Sequence, residues 1–224
     1  MMISSLNVNK FCGPYGNPKT NGGYYNPRNI NFKTQIRAIV EKNLKSTEDI
    51  FFLQEVLNNK YIELFNLFPE EDYKIHFNQV EITKSHVVAV TLKQSKWDIC
   101  SIENNESELT NKMIRMKKGD LTILGLHKTD EPIKEYVDRS FLNQDADIII
   151  GDFNDISWIE EINNNNNNYR DLVTEDMVTY KPAQSTIDRI FVRNKKEFKN
   201  KIVFNGIVET YATDHNLLTF QLNI

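Results

Sequence analysis

The sequence has few cysteines, no long apolar run and no excess of basic residues. Two cysteines, Cys12 and Cys100, are too few for a disulfide framework. No segment approaches the roughly 18 apolar residues of a membrane-spanning helix, and the N-terminus lacks the basic and apolar stretches of a signal peptide. The net charge of −4 argues against a broadly cationic, nucleic-acid-coating surface. We therefore expect a cytoplasmic protein without a membrane span.

The composition is that of a globular protein. Of the 224 residues, 40% are hydrophobic and 26% are charged, which suffices for a core and an ordinary polar surface. We expect a single domain over residues 1–224, with a monomer as the default state. One local cluster of basic residues is either a solvated face, which such runs usually are, or a phosphate-binding patch: Arg189, Arg193, Lys195, Lys196, Lys199 and Lys201.

The apolar pattern predicts a mixture of strands and helices. Residues 32–44, 62–68 and 133–141 have the spacing of amphipathic helices. Short apolar or alternating runs predict strands at 3–8, 50–53, 73–77, 87–92, 97–102, 121–126, 148–150, 187–192, 202–208 and 217–222. Elements mixed in this order predict an α+β layered sandwich, with sheets inside and helices outside.

Two segments read as loops. Residues 13–28 are rich in Gly, Pro, Asn and Tyr. The side chains of this loop either stack on and pair with a nucleic-acid backbone or cap the core: Tyr15, Lys19, Tyr24, Tyr25 and Arg28. The six asparagines at 163–168 have no periodicity, and they predict a flexible surface loop.

Carboxylates follow two of the predicted buried strands. Glu55 comes after the apolar run 50–53, and Asp152 comes after 148–150 and Gly151. Strand ends that open onto loops commonly hold chemistry, and hard oxygen ligands suit Mg²⁺ or Mn²⁺. Asn7 and Asn9 end the first strand, where they either supply neutral oxygens or serve only the turn. Asn154 would share a side with Asp152 if the chain stays extended.

Two of the four histidines lie beside predicted strand ends. His127 follows the strand at 121–126, and His215 follows Asp214. Histidine is the natural acid or base near neutral pH. Asp188, inside an apolar strand, is either a satisfied core carboxylate or the group that orients a histidine. We interpret the other two histidines, His76 and His86, as structural.

Six phrases in order resemble the signature motifs of the endonuclease/exonuclease/phosphatase superfamily, which includes deoxyribonuclease I-like and exonuclease III-like enzymes. The phrases are LNVN (6–9), FLQEV (52–56), LHKT (126–129), GDFN (151–154), STIDRIFV (185–192) and TDH (213–215). Each is short, but together they span nearly the whole chain. The resemblance implies a four-layer αββα sandwich with two mixed sheets flanked by helices. It also implies metal-assisted phosphoester hydrolysis at one edge.

The resemblance assigns one group of residues to a divalent metal, Mg²⁺ or alternatively Mn²⁺. Glu55 matches the principal ligand. Asn7, Asn9 and Asp214 match positions close to the metal or its waters.

A second group of residues matches positions that act on the substrate. Asp152 and Asn154 match the pair that positions the attacking water and a phosphoryl oxygen. His215, held by Asp188, matches the histidine that activates or orients the nucleophile. His127 matches the acid-like histidine of the deoxyribonuclease I branch.

The chain departs from the family pattern near its first motif. Leu6 replaces a tryptophan, and Lys10 stands where glycine is frequent. The resemblance therefore does not predict which substrate contacts this loop makes. The sequence identifies no carboxylate partner for His127, for which Glu81 and Glu103 are only candidates.

The leading hypothesis is a Mg²⁺-dependent nuclease that acts on DNA. The alternatives are a hydrolase of another phosphoester, such as a phosphoinositide, a sphingolipid headgroup or a protein–nucleic acid adduct, and a catalytically inactive binding module.

Overall fold

Two six-stranded β-sheets organise the chain. The computed structural model describes residues 1–11, 32–57, 61–78, 85–100, 111–128, 145–154, 168–174, 176–198 and 200–223. The strands are β1 (Met2–Asn7), β2 (Ile50–Leu57), β3 (Tyr73–His76), β4 (Ser85–Leu92), β5 (Asp98–Ile99), β6 (Met113–Lys118), β7 (Leu121–His127), β8 (Ile148–Asp152), β9 (Tyr169–Asp171), β10 (Asp188–Arg193), β11 (Ile202–Val208) and β12 (Leu217–Leu222).

Both sheets are mixed. The first has the order β11-β12-β1-β2-β4-β3, and the second has the order β5-β6-β7-β8-β10-β9. The pairs β1–β2 and β7–β8 are parallel, whereas the other pairs are antiparallel. The two parallel pairs lie near the centres of their sheets, so their carboxyl ends open side by side at one edge.

The main core lies between the sheets. Ile3 and Phe52 from the first sheet belong to one buried cluster with Ile150 and Ile190 from the second. Alternate residues of a strand face opposite sides, so Phe51 and Leu53 leave this core and pack under the helices. Burial of such a side chain contributes about 1.5–3 kcal/mol.

Helices cover the outer face of the first sheet. They are α1 (Phe32–Asn43) and α2 (Tyr61–Leu67). Ile36 and Val40, four residues apart on α1, are fully buried against that sheet. The outer face of the second sheet has its own buried cluster, which includes Leu124, Ile149 and Phe191. The two mixed sheets and their buried faces are those of the predicted αββα sandwich.

Most predicted elements occur within a few residues of their expected bounds. Of the predicted strand at 97–102, the described part contains β5 at Asp98–Ile99, and residues 101–102 lie outside the described residues. Strands β6 and β9 were not predicted, because MIRMKK and YRD lack a clear apolar alternation. The helix at 133–141, the loop at 13–28 and all of the asparagine tract except Asn168 lie outside the described residues. Among the described helices, none is long and apolar enough to cross a membrane.

Three of the described residues of the basic cluster are paired with acidic side chains. Lys195 Nζ lies 2.6 Å from Asp147 Oδ1, and Arg193 Nη1 contacts Asp145 Oδ1 at 2.5 Å. Arg189 is buried. The acidic partners of these three residues disfavour a phosphate-binding patch, and the buried Arg189 does not belong to a solvated face either.

Candidate active site

The registers of three neighbouring strands place three predicted site residues side by side. The parallel β7–β8 register sets His127 beside Asp152, and the antiparallel β8–β10 register sets Asp152 opposite Asp188. Each strand is held by apolar neighbours such as Leu126, Ile150 and Ile190. The functional side chains are therefore fixed to rigid elements at one edge of the second sheet.

Asp152 lies at the centre of the cluster. Its Oδ2 accepts a hydrogen bond from Asn7 Nδ2 at 2.9 Å. The same oxygen lies 3.9 Å from His127 Nε2 and 3.7 Å from His215 Nε2. Burial and the nearby Asp188 raise the pKa of Asp152, although both histidines and Asn7 oppose this shift. The carboxylate is thus a buried charge that further positive charge would stabilise.

His215 and Asp188 form a buried pair. Asp188 Oδ2 accepts a hydrogen bond from His215 Nδ1 at 2.9 Å, which points Nε2 toward Asp152. Burial alone would lower the pKa of His215, but Asp188, Asp152 and Asp214 outweigh burial and raise it. The ring of Tyr180 lies 4.9 Å from the imidazole, centroid to centroid. His215 is therefore oriented on two sides and favoured in its protonated form.

Glu55 reaches the cluster from the first sheet through a β-bulge. The register of β2 with β4 shifts between Leu53 and Val56, and Glu55 has a φ of 56°. Its Oε1 lies 3.4 Å from His127 Nε2, and its Oε2 lies 3.5 Å from Lys10 Nζ. Burial would raise the pKa of Glu55, but His127, Lys10 and Asn7 outweigh it and hold the pKa well below its usual range. Glu55 is therefore ionised.

Asn7 and Asn9 connect the acidic side chains. Asn7 Nδ2 donates to Glu55 Oε1 at 3.2 Å as well as to Asp152, while Asn7 Oδ1 accepts the backbone N–H of Asn9 at 2.9 Å. Asn9 Nδ2 donates to Asp214 Oδ2 at 3.0 Å. This network turns the amide nitrogen of Asn7, and not its oxygen, toward the carboxylates. In this arrangement Asn7 orients Glu55 and Asp152.

Asp214 and Asn154 lie at the edges of the cluster. Burial raises the pKa of Asp214. The backbone N–H of Asn154 donates to Asp152 Oδ1 at 2.9 Å, and its side-chain Nδ2 donates to the carbonyl oxygen of Lys128. An amide nitrogen has two hydrogens, so this contact leaves a second one for another acceptor.

In the part of the chain that the structure describes, two sets of three side chains have the spacing of metal ligands. The ligand atoms of Glu55, His127 and Asp152 lie within 4.8 Å of one another, as do those of Asp152, Asp188 and His215. The first set fits a hard divalent cation better, because Asp188 and His215 already satisfy each other. The raised pKa of Asp152 supports this fit, since a bound cation would offset the cost of its buried charge.

All nine residues singled out from the sequence lie in the described part of the chain. Eight of them contact another member of the cluster through their side chains, and Asn154 does so through its backbone N–H. The sequence did not indicate the contact between Tyr180 and His215 or the ion pair between Lys10 and Glu55. Glu55 also lies nearer to His127 than Asp152 does. The two candidate partners of His127 proposed from the sequence, Glu81 and Glu103, lie outside the described residues. His76 is buried and hydrogen-bonded to Thr91, away from the cluster.

Solved structures share this fold over the whole chain. An AP endonuclease from Archaeoglobus fulgidus has a TM-score of 0.66 at 14% identity, covering 100% of both chains. The endonuclease/exonuclease/phosphatase from Bacteroides vulgatus has a TM-score of 0.64 at 17% identity, covering 99% of this chain and 98% of that one. Danio rerio TDP2 in complex with a single-strand DNA product has a TM-score of 0.62 at 14% identity, covering 100% and 99%.

By sequence, no protein-family model and no curated protein matches. The structural likeness establishes that the chain has the fold of endonuclease/exonuclease/phosphatase structures, as its motifs predicted.

Proposed function

We propose that the protein is a divalent-metal-dependent phosphodiesterase that cleaves DNA. The observation that supports this most strongly is the convergence of two histidines and Asn7 on one buried carboxylate, Asp152, with the ionised Glu55 beside them. Such a set combines a proton-transfer group, fixed positive charge and oxygen ligands in one place. Metal-assisted hydrolysis of a phosphodiester uses all three.

In this proposal His215 supplies positive charge, and His127 is the acid-like histidine that the motif resemblance implies. Asp188 orients the protonated ring of His215, so its Nε2–H points into the site, where it stabilises negative charge that grows on the phosphoryl oxygens. Asp152 orients the attacking water and accepts its proton, a role that suits its raised pKa. The remaining hydrogen of Asn154 Nδ2 binds a phosphoryl oxygen.

We assign Glu55 as the principal metal ligand, with Asp214 near the metal or its waters. Mg²⁺, or Mn²⁺ in its place, would act as a Lewis acid that polarises the phosphoryl group. Asn7 and Asn9 hold Glu55 and Asp214 by hydrogen bonds, which keeps the carboxylates in place for the ion.

The assignment of DNA as substrate rests on the motif resemblance and on the structural neighbours. Among those neighbours, one is named an endonuclease, and another is bound to a single-strand DNA product.

A plasmid-nicking assay tests the proposal. The purified protein should convert supercoiled DNA to the nicked form with Mg²⁺ and should stop when EDTA is added. Asp152→Asn and His215→Ala should each reduce the rate by about 10²-fold or more.

Two substitutions outside the site serve as matched controls. Asp98→Asn changes a carboxylate on β5 whose side chain is 79% exposed, and His76→Gln changes a buried histidine outside the cluster. Both should retain nicking. Nicking that persists in Asp152→Asn would contradict the proposal. Turnover of a phosphoinositide or sphingomyelin without any nicking would favour another phosphoester substrate, and no turnover at all would favour a binding module.

A further inference from the structure

Lys10 lies beside Glu55, the carboxylate that we assign to the metal ion. Its ammonium nitrogen is 3.5 Å from Glu55 Oε2, and the two side chains are only 25% and 20% exposed. This position is one at which the motif resemblance leads us to expect glycine. A lysine there adds a fixed positive charge to the cluster.

The local backbone directs Lys10 into the site. Asn9, Lys10 and Phe11 have φ values of 43°, 53° and 61°, a left-handed conformation that residues other than glycine rarely adopt. Asn9 is tied on both sides, through its N–H to Asn7 and through its side chain to Asp214, while Phe11 is buried under α1 and β2. The turn is therefore held by its neighbours, and Lys10 is carried with it.

We propose that Lys10 is an internal counter-cation that competes with the divalent metal for Glu55. In the metal-free protein the ammonium stabilises the ionised carboxylate. When the ion binds, the ammonium must leave Glu55 Oε2, because two cations close together on one carboxylate repel each other. Lys10 therefore weakens metal binding while it keeps Glu55 in place between binding events. This inference rests on the metal site of the proposed function.

Isothermal titration calorimetry with MnCl₂ tests the competition without any measurement of activity. Lys10→Met keeps the length and apolar stem of the side chain but removes its charge. A partly exposed ion pair has a free energy that corresponds to a factor of about two to five in an equilibrium constant. The Mn²⁺ dissociation constant of Lys10→Met should therefore fall about two- to fivefold at low salt, whereas Lys10→Arg should stay near the wild-type value.

Thermal unfolding gives a second readout. Without metal, Lys10→Met should unfold at a lower temperature than the wild type, because Glu55 loses its counter-ion. With saturating MnCl₂ the two unfolding temperatures should converge, so the metal-induced rise is larger in the variant.

The outcomes separate this inference from the proposed function. Glu55→Gln should lose most of the Mn²⁺ affinity. If it does, but Lys10→Met binds Mn²⁺ as the wild type does or more weakly, competition by Lys10 is refuted and the metal site stands. If the wild type and Glu55→Gln both fail to bind Mn²⁺, the metal site and the inference fail together.

Discussion

Gly151 determines how closely Asp152 approaches β7. It has a φ of 146°, a conformation that is essentially confined to glycine. A β-carbon at this position would lie 1.9 Å from the carbonyl oxygen of Leu126 and 2.9 Å from its carbonyl carbon. Leu126 is the registered partner of Gly151 in the parallel pair β7–β8. Because both contacted atoms are backbone, Gly151→Ala forces the two strands apart.

The expected cost has two parts. The backbone strain contributes about 1–3 kcal/mol. Separation of the strands also weakens hydrogen bonds at this end of the ladder, such as that from Lys128 N to Asp152 O at 2.9 Å, each of which contributes about 1 kcal/mol. The free energy of unfolding should therefore fall by about 3–5 kcal/mol, a large part of the 5–15 kcal/mol that is typical of a folded domain.

Urea unfolding followed by tryptophan fluorescence measures this loss. Gly206→Ala in β11 is the matched control, because Gly206 also has a positive φ, 98°, but a β-carbon there meets no atom within 4 Å. The free energy of unfolding of Gly206→Ala should fall by only about 1 kcal/mol, because backbone strain is its sole cost. Equal losses in the two variants would refute the reasoning that the Leu126 carbonyl requires glycine at 151.

The sequence predicts much of the second-sheet part of the site. Asp152, Asp188 and His127 each adjoin a short apolar run, and runs of that kind become central strands. Once the strands are in register, the side chains at their ends become neighbours. This step needs only the period of a strand and the order of the sheet.

Glu55 shows why the rest could not be predicted. Regular alternation from Phe52, which faces the other sheet, would turn Glu55 toward α1 and Val56 toward the sheet interface. The bulge exchanges the two sides that the following side chains face, so Val56 packs in the cluster on the helix side. The sequence FLQEV contains no glycine or proline to mark a bulge. The contacts of Lys10 and Tyr180 likewise depend on tertiary packing between segments far apart in the chain.

Two further predictions concern buried titratable groups. Asp188→Asn should reduce the nicking rate by about 10²–10⁴-fold, because His215 loses its charged partner. The control Asp98→Asn should nick at the wild-type rate. Equal nicking rates in the two variants would contradict a role for the Asp188–His215 pair. Burial lowers the pKa of His76 to about 4 from 6.5, so below pH 6.5 the unfolded chain binds a proton that the folded protein excludes. Stability should fall by about 3 kcal/mol from pH 6.5 to 4, and His76→Gln, compared by urea unfolding, should show a flatter pH dependence.

The two sheets contribute different parts of the site, so the packing between the sheets sets the geometry of the site. Asn7 and Glu55 come from the first sheet, whereas Asp152 comes from the second, and the hydrogen bonds of Asn7 Nδ2 join them at 3.2 Å and 2.9 Å. These bonds form only if the sheets keep their separation, which is set by inward residues such as Phe52 and Ile150. Since hydrogen bonds weaken steeply with distance, a small shift between the sheets would uncouple Glu55 from Asp152 before it unfolds either sheet.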